Sequence, residues 1–388
     1  MAPTEIELAD SDRTETLRLL KESASAFAVA ESPLSRARAL RQCDPDFSPE
    51  FWRRLAGQGW TGMLVDEQCG GFGLGFADMA TVIEQFAARV APEPLVPTAV
   101  FAARLLQGCP GNELRTKLLS AIAGGDLIAA VAWQEHPAQT DPRCIKTQAT
   151  PDSRGVKLAG EKRFVRPGTA CGGFAVSALI EGEFALYWMP NGSAGLAIEA
   201  ELQADGTRAS RLRLESVRLD AGQCIARGEA AAAALARAYD ETLVMASVEL
   251  VALSRAMLAM TLDYLRTRRQ FGRLIGSFQG LQHRAVDLYI QQELAGALVA
   301  EAVKSIDDTP AATERAAMAS RAKARASDTA LAIARESVQM HGAIGFADDY
   351  DLGLYFNRAL VLSAWLGNGL AHRRRFAAQH PLRPTVAV

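Results

Sequence analysis

Hydrophobic and polar positions change rhythm twice along the chain, and the two changes divide it into three zones. From residue 12 to about 127 apolar residues recur at three-four spacing, as in SDRTETLRLLKESASAFAVAE and FADMATVIEQFAARVA, which predicts helices. Asp46 and Ser48 flank a phenylalanine ahead of Pro49 and mark a helix start before EFWRRLAGQGW. Between about 128 and 226 the pattern breaks into short apolar pieces separated by Gly, Pro, Asp and Asn. The pieces LIAAVAWQE, GFAVSALI, FALYWM and SRLRLESVRL predict strands of a small β domain. From Glu229 helical spacing returns. Residues 229–268 contain neither Gly nor Pro, enough for about 60 Å of helix. Further helices are expected over about 281–305, about 311–340 (after Asp308-Thr309-Pro310, ending at His341-Gly342) and about 351–379.

Helices, then strands, then a helical bundle make an α+β chain with segregated zones, with expected domains 1–127, 128–226 and 227–388. Alternating βαβ units are absent from the pattern, so a Rossmann core is not expected. The GGFGLG at 70–75 follows a poor strand, LVDEQC, and reads as a tight turn between helices rather than a dinucleotide loop.

Composition adds mostly exclusions. A chain of 388 residues exceeds the usual single core. A net charge of −2 with no basic run gives no footprint for nucleic acid or a membrane surface. The opening MAPTEIELADSDRTETL is acidic and polar, unlike a signal peptide, and no uncharged apolar stretch suggests a transmembrane helix. Six cysteines (43, 69, 109, 144, 171, 224) form no CxxC pair, which fits reduced thiols and a cytoplasmic location. The five histidines (136, 283, 341, 372, 380) show no metal-ligand spacing, so no metal is expected; they read as surface or hydrogen-bonding groups. There is no GxSxG elbow and no Walker loop.

Two stretches carry candidate chemistry. RRQFGRLIGSFQGLQH at 268–283 mixes cations, aromatics, glycines and amides, a set suited to a large anionic, aromatic ligand. QMHGAIGFADDYDLGLYF at 339–356 offers Gln339 and a glycine turn whose N–H groups can face an anion, although a plain helix C-cap has the same form.

Together, in this order and after a β zone, they resemble the R-x-x-F-G…F-Q…H and Q-x-x-G-G-x-G-F signatures of the acyl-CoA dehydrogenase family. FWRRLAGQGWTGMLVDEQCGGFGL and SRLRLESVRLDAGQCIARG resemble further blocks, so the likeness spans nearly the whole chain. The resemblance implies an N-terminal helical domain, a middle β domain and a C-terminal four-helix bundle, usually in tetramers. It implies FAD as cofactor, an acyl-CoA as substrate and an electron-transfer flavoprotein or similar acceptor. By the same likeness Arg268, Phe271 and Gln279 grip the pyrophosphate and adenine end of FAD, and Gln339 and Gly342 approach it, all across a subunit interface. Tyr239 and Asp240 match positions near the thioester tail.

The departures matter as much. The family's α,β-dehydrogenation uses a Glu base, often within a Tyr-Glu-Gly-Thr run; the run here is Trp365-Leu366-Gly367-Asn368, so Leu366 holds the base position. Members that carry the Glu on the helix before the first motif place it where this chain has Thr242. Glu241 adjoins it, and reads equally well as a solvated helix carboxylate. Glu249 lies seven residues on, in apolar LVMASVELVALSRAML, where burial asks for a role or a partner such as Arg255 or a neighbouring helix. In the β zone, Trp133-Gln134-Glu135-His136-Pro137-Ala138-Gln139-Thr140 replaces a Thr-Glu-Pro-x-Ala-Gly-Ser run, and Phe164-Val165-Arg166 replaces Trp-x-Thr; Phe164 keeps a ring able to stack on a flavin. Groups that hold a chain's own flavin ring are altered, and groups that reach a neighbour's are kept. Members acting on bulky CoA esters such as steroid side chains form α2β2 pairs, whose subunits the Leu366 replacement, followed by Gly367, resembles. Three readings stay open: a dehydrogenase acting alone or with a partner chain, a non-catalytic subunit supporting a partner's FAD, and a flavin mono-oxygenase or nitroalkane oxidase-like enzyme of the same fold.

Overall fold

A single 40-residue helix, Gly228–Thr267, is the axis of the molecule. The computed structural model describes residues 5–379 other than 138 and 309, with side chains from residue 12 onward. Of the positions considered above, residues 1–4, Ala138, Thr309 and His380 lie outside the described residues.

The first zone is helical. It comprises α1 (Glu5–Glu31), α2 (Leu34–Leu40), α3 (Pro49–Gly57) and α4 (Phe76–Ala87), then a π-helical segment, Leu95–Ala102, that runs into α5 (Ala103–Gly108), and α6 (Glu113–Ala123). The expected start of α3 is present: the Phe51 N–H donates to Ser48 Oγ at 3.1 Å, with Pro49 in the first turn. GGFGLG forms a turn into α4. A Cβ on Gly71 would lie 2.1 Å from the Val65 carbonyl oxygen, so the close approach there admits only glycine.

The middle zone is a mixed eight-stranded sheet in the order β6-β7-β3-β2-β4-β5-β8, with β1 also paired to β4. Its strands are β1 (Ala129–Ala132), β2 (Gln148–Asp152), β3 (Gly155–Val165), β4 (Gly173–Ile180), β5 (Glu183–Pro190), β6 (Leu196–Leu202), β7 (Arg208–Asp220) and β8 (Cys224–Arg227). Both faces are covered. Phe174, Val176 and Ala178 of β4 enter one core, while Ala175 joins the core shared with the helices. On β5, Tyr187 and Met189 alternate with Leu186 and Trp188 in the same way. Double burial explains why these strands read as unbroken apolar runs.

The last zone contains α7 (Gly228–Thr267), a short β9–β10 hairpin (Arg269–Gln270, Arg273–Leu274), α8 (Gln279–Asp307), α9 (Ala312–His341), α10 (Leu352–Ala364) and α11 (Gly369–Gln379). The single helix expected over 351–379 is two helices. The break falls at Leu366 and Gly367, with φ of 62° and 106°, and Asn368 restarts the chain by accepting the Ala371 N–H at 2.9 Å. α7 also qualifies the expectation about apolar stretches. An 18-residue window of it has mean hydropathy 1.7, and 78% of that window is buried inside the protein, which accounts for its composition as a core helix.

The zones are tied by polar contacts. Asp307, in the last turn of α8, accepts the N–H groups of Phe76 at 2.8 Å and Ala77 at 3.3 Å and so caps α4. Asp307→Ala should cost about 1 kcal/mol of stability, as for an N-cap. Urea unfolding of the variant, with Asp307→Asn as the conservative control, measures it.

Candidate functional site

From Ala238 to Ser254 every residue of α7 is buried. Three carboxylates sit in that stretch, and unpaired each would be costly. Asp240 meets Arg375 of α11 at 2.7 Å and Arg315 of α9 at 3.6 Å. Glu241 receives Arg104 of α5 at 2.8 and 3.0 Å and Arg237 at 2.8 Å. Glu249 Oε1 receives Arg358 of α10 at 2.6 and 3.1 Å, and the same guanidinium reaches Asp205 of the β zone at 3.0 Å. One expectation changes, and for Glu249 the alternative of a partner on a neighbouring helix holds. Glu241 is 1% exposed rather than solvated. The partner of Glu249 is Arg358, while Arg255 pairs with Glu84 at 3.0 Å. A charged residue in the apolar run YFNRALVLSAW was the available signal for Arg358.

The other α7 candidates are also spent internally. Tyr239 is fully buried; its hydroxyl donates to the Leu366 carbonyl at 2.6 Å and Arg375 stacks on its ring at 5.1 Å. Thr242 donates to its own helix at Ala238, 2.6 Å away. Burial pushes Asp240 up from the usual carboxylate range, opposed by Arg375.

A cavity of about 480 Å³ opens between the sheet and α10–α11. Its wall includes Gln134, Phe164 and Arg166 from one side and Trp365, Leu366 and Arg374 from the other. No Asp or Glu lines it among the described residues. Two of its wall residues hold the left-handed conformation that side chains disfavour, Phe164 at φ 56° and Leu366 at φ 62°. The Arg166 guanidinium lies 5.3 Å from the Trp365 ring and donates to Thr207 at 3.1 Å, yet its Nη1 is buried with no acceptor among the described residues. Burial and the nearby Arg358 push Arg166 below the usual arginine range. Glu249 lines a pocket of about 20 Å³ that adjoins the cavity and shares Arg166 and Trp365 with it. Pro92, Pro94 and Pro97, at and just before the start of the π-helical segment, line that small pocket and not the cavity.

Two buried bases hold the turn carrying Leu366: Lys323, which sequence reasoning passed over, and His372, which is buried and hydrogen-bonded rather than at the surface. Lys323 of α9 is wholly buried, and its Nζ donates to the carbonyls of Leu362, Ser363 and Gly367 at 2.9, 3.2 and 3.1 Å. Burial pushes it down to about 7. His372 Nε2 lies 3.1 Å from the Leu366 carbonyl oxygen, and burial, with Lys323 and Arg375 near, pushes it down to about 3. Lys323 stands among small residues, ASRAKARASD, a weak sign of a lysine threaded into a core.

The motif residues lie elsewhere. Arg268, Phe271, Gln279, Gln339 and Gly342 are all exposed, Phe271 at 89%. None of them lines the cavity. Their side-chain donors are not used among the described residues. The structure therefore separates the sequence candidates into an outward face, holding the two motifs, and an inward wall, holding Phe164 and the Leu366 turn.

Comparison with known proteins bears on the family. Residues 14–126 match the model for the acyl-CoA dehydrogenase N-terminal domain, and residues 217–380 that for the acyl-CoA dehydrogenase C-terminal domain. The chain is 28% identical to acyl-CoA dehydrogenase IpdE2 of Mycolicibacterium smegmatis over 94% of this chain and 99% of that one. Among solved structures it is similar to a variant of the Tcur3481-Tcur3483 steroid ACAD, with TM-score 0.84 at 28% identity, covering 94% of this chain and 98% of that one. It is similar also to the ChsE4-ChsE5 complex from Mycobacterium tuberculosis, with TM-score 0.85 at 25% identity, covering 95% and 98%.

Two outcomes are expected. Arg358→Leu leaves Glu249 and Asp205 buried without their cation and should cost about 3–5 kcal/mol, read as a lower urea midpoint. His372 regains an ordinary value near 6.5 on unfolding, so below that pH the unfolded chain takes up a proton that the folded chain refuses. Stability should therefore fall as pH drops from 6.5 towards 3, by about 2 kcal/mol at pH 5, and His372→Asn should flatten that slope.

Proposed function

The chain belongs to the acyl-CoA dehydrogenase family, FAD-dependent oxidoreductases acting on CH–CH donors, and within it we propose that it serves as one subunit of a hetero-oligomer. Its outward face lends Arg268, Phe271, Gln279, Gln339 and Gly342 to a flavin bound mainly by a partner subunit, and the partner supplies the catalytic base. One observation carries the reading: the unspent motif donors lie away from the large sheet-to-helix cavity, whose wall has Leu366 at the base position and no carboxylate among the described residues.

The outward residues fit an anionic dinucleotide. Arg268 offers a guanidinium fork for a pyrophosphate, the amides of Gln279 and Gln339 offer donors, and Phe271 offers an exposed ring. Gly342, at φ 68°, leaves room for close backbone approach. The inward wall does not reproduce what the family presents to its own flavin ring and substrate, since Arg166 replaces a hydroxyl beside the ring and Leu366 the carboxylate that acts on the substrate. FAD, when bound, accepts the β-hydrogen as hydride; the substrate is an acyl-CoA thioester and the onward acceptor an electron-transfer flavoprotein or similar carrier. Relatives of similar length occur as the two-component Tcur3481-Tcur3483 and ChsE4-ChsE5 pairs, which supports a mixed tetramer here. Six free thiols fit a cytoplasmic setting.

A second reading keeps the chain catalytic. Glu249 stands beside the cavity wall, and only its Oε1 is engaged by Arg358. Glu241, with both oxygens held by Arg104 and Arg237, has a structural place in either case.

The visible spectrum and solution mass of the chain purified alone, then co-purified with candidate partner chains, decide between them. The subunit reading expects a colourless chain that gains flavin only in the mixed oligomer, and Glu249→Gln without effect on turnover. A yellow homo-oligomer that loses turnover about 10²–10⁴-fold on Glu249→Gln would overturn it in favour of the second.

A further inference from the structure

The shared-site reading leaves the chain's own cavity without a task, and that cavity has a definite chemistry. Its wall carries Arg166, Arg374 and Arg375, with no acidic residue among those described. Arg375 is committed to Asp240 at 2.7 Å. Arg374 is exposed and makes no bond among the described residues. Arg166 keeps a buried Nη1 with no acceptor among them. The carboxylates near it are committed elsewhere. Asp205 is held by Arg358 and Thr207, Glu249 by Arg358, and Asp46 by the Arg208 N–H. Two aromatic rings, Phe164 and Trp365, stand with Val361, Leu366 and Leu370 on the apolar part of the wall, and Gln134, Thr140, Gln203 and Asn368 add neutral polar groups. A mostly apolar hollow of this size with a few convergent polar groups is the usual form of a small-molecule site.

We propose that this cavity binds an organic carboxylate with an apolar body, its anionic end held by Arg166 and Arg374 and its body packed against Phe164 and Trp365. The inference rests on the shared-site reading, because a flavin ring held by this chain itself would fill the same space. Two positive guanidinium groups on a wall without a carboxylate favour an anion over a neutral group of the same shape. The apolar wall selects an anion with a hydrocarbon body over a bare one.

Isothermal titration of the full-length chain, purified alone, tests this with 4-phenylbutyrate, 4-phenylbutan-1-ol and inorganic phosphate as probes. The acid should bind once per chain, with the alcohol and phosphate each at least about tenfold weaker. Arg166→Gln and Arg374→Gln should each weaken the acid about tenfold and leave the alcohol unchanged. Acid and alcohol binding alike, phosphate binding as well as the acid, or an acid affinity untouched by Arg374→Gln would each overturn the proposal. Arg374 is exposed, so its variant decides even if Arg166→Gln fails to fold. Failure of the shared-site reading shows separately, as flavin carried by the chain alone, and does not depend on how the acid and alcohol compare.

Discussion

Three carboxylates on the wholly buried stretch of α7 impose the constraint that organises this molecule. Asp240, Glu241 and Glu249 would each be intolerable in that environment alone, and each is met by arginine from another element. The arginines come from α5, α9, α10 and α11, so satisfying α7 electrostatically also fixes where four other helices lie. Arg358 goes further and takes Asp205 from the sheet zone, joining the second zone to the third through one guanidinium. Buried pairs of this kind add little net stability over apolar packing, but they penalise any other arrangement heavily. Their contribution is to geometry.

That geometry ends at the cavity. Arg375, held by Asp240, stacks on Tyr239, and the Tyr239 hydroxyl holds the Leu366 carbonyl. Lys323 and His372 hold the same turn from the other side. A left-handed leucine is strained and persists only where its surroundings over-determine it. The Leu366 turn is thus held in shape by buried neighbours although it carries an apolar side chain.

How much of this was legible depended on whether the deciding partner was near in sequence. GFAVSALI and FALYWM announced themselves because both faces of β4 and β5 are buried. β3 did not, because Lys162 interrupts it; that lysine is wholly buried and paired with Glu135 at 2.9 Å, a contact no local pattern reveals. The cap on α3 lay within three residues and was readable, whereas the cap on α4 comes from Asp307 and was not. Helical spacing carried the reading of 351–379 straight through Leu366, although Gly367-Asn368-Gly369 offered a break signal. For the site, the two motifs were visible as sequence, but their position on the surface was not. The burial of Glu241 was hidden for the same reason as the cap, its cation Arg104 lying 137 residues away.

Under the proposed sharing of one flavin between subunits, the outward motifs and the inward wall answer different demands. On that proposal the outward face would keep its donors for an anionic dinucleotide on another chain, at the cost of exposing Phe271 and Phe346, 89% and 83% exposed in the single chain. A wall freed from deprotonating a substrate can exchange a carboxylate for leucine and a hydroxyl for arginine without disturbing that face, because no motif residue lines the cavity. The two surfaces can then change independently, provided the ion pairs of α7 keep the helices between them in register.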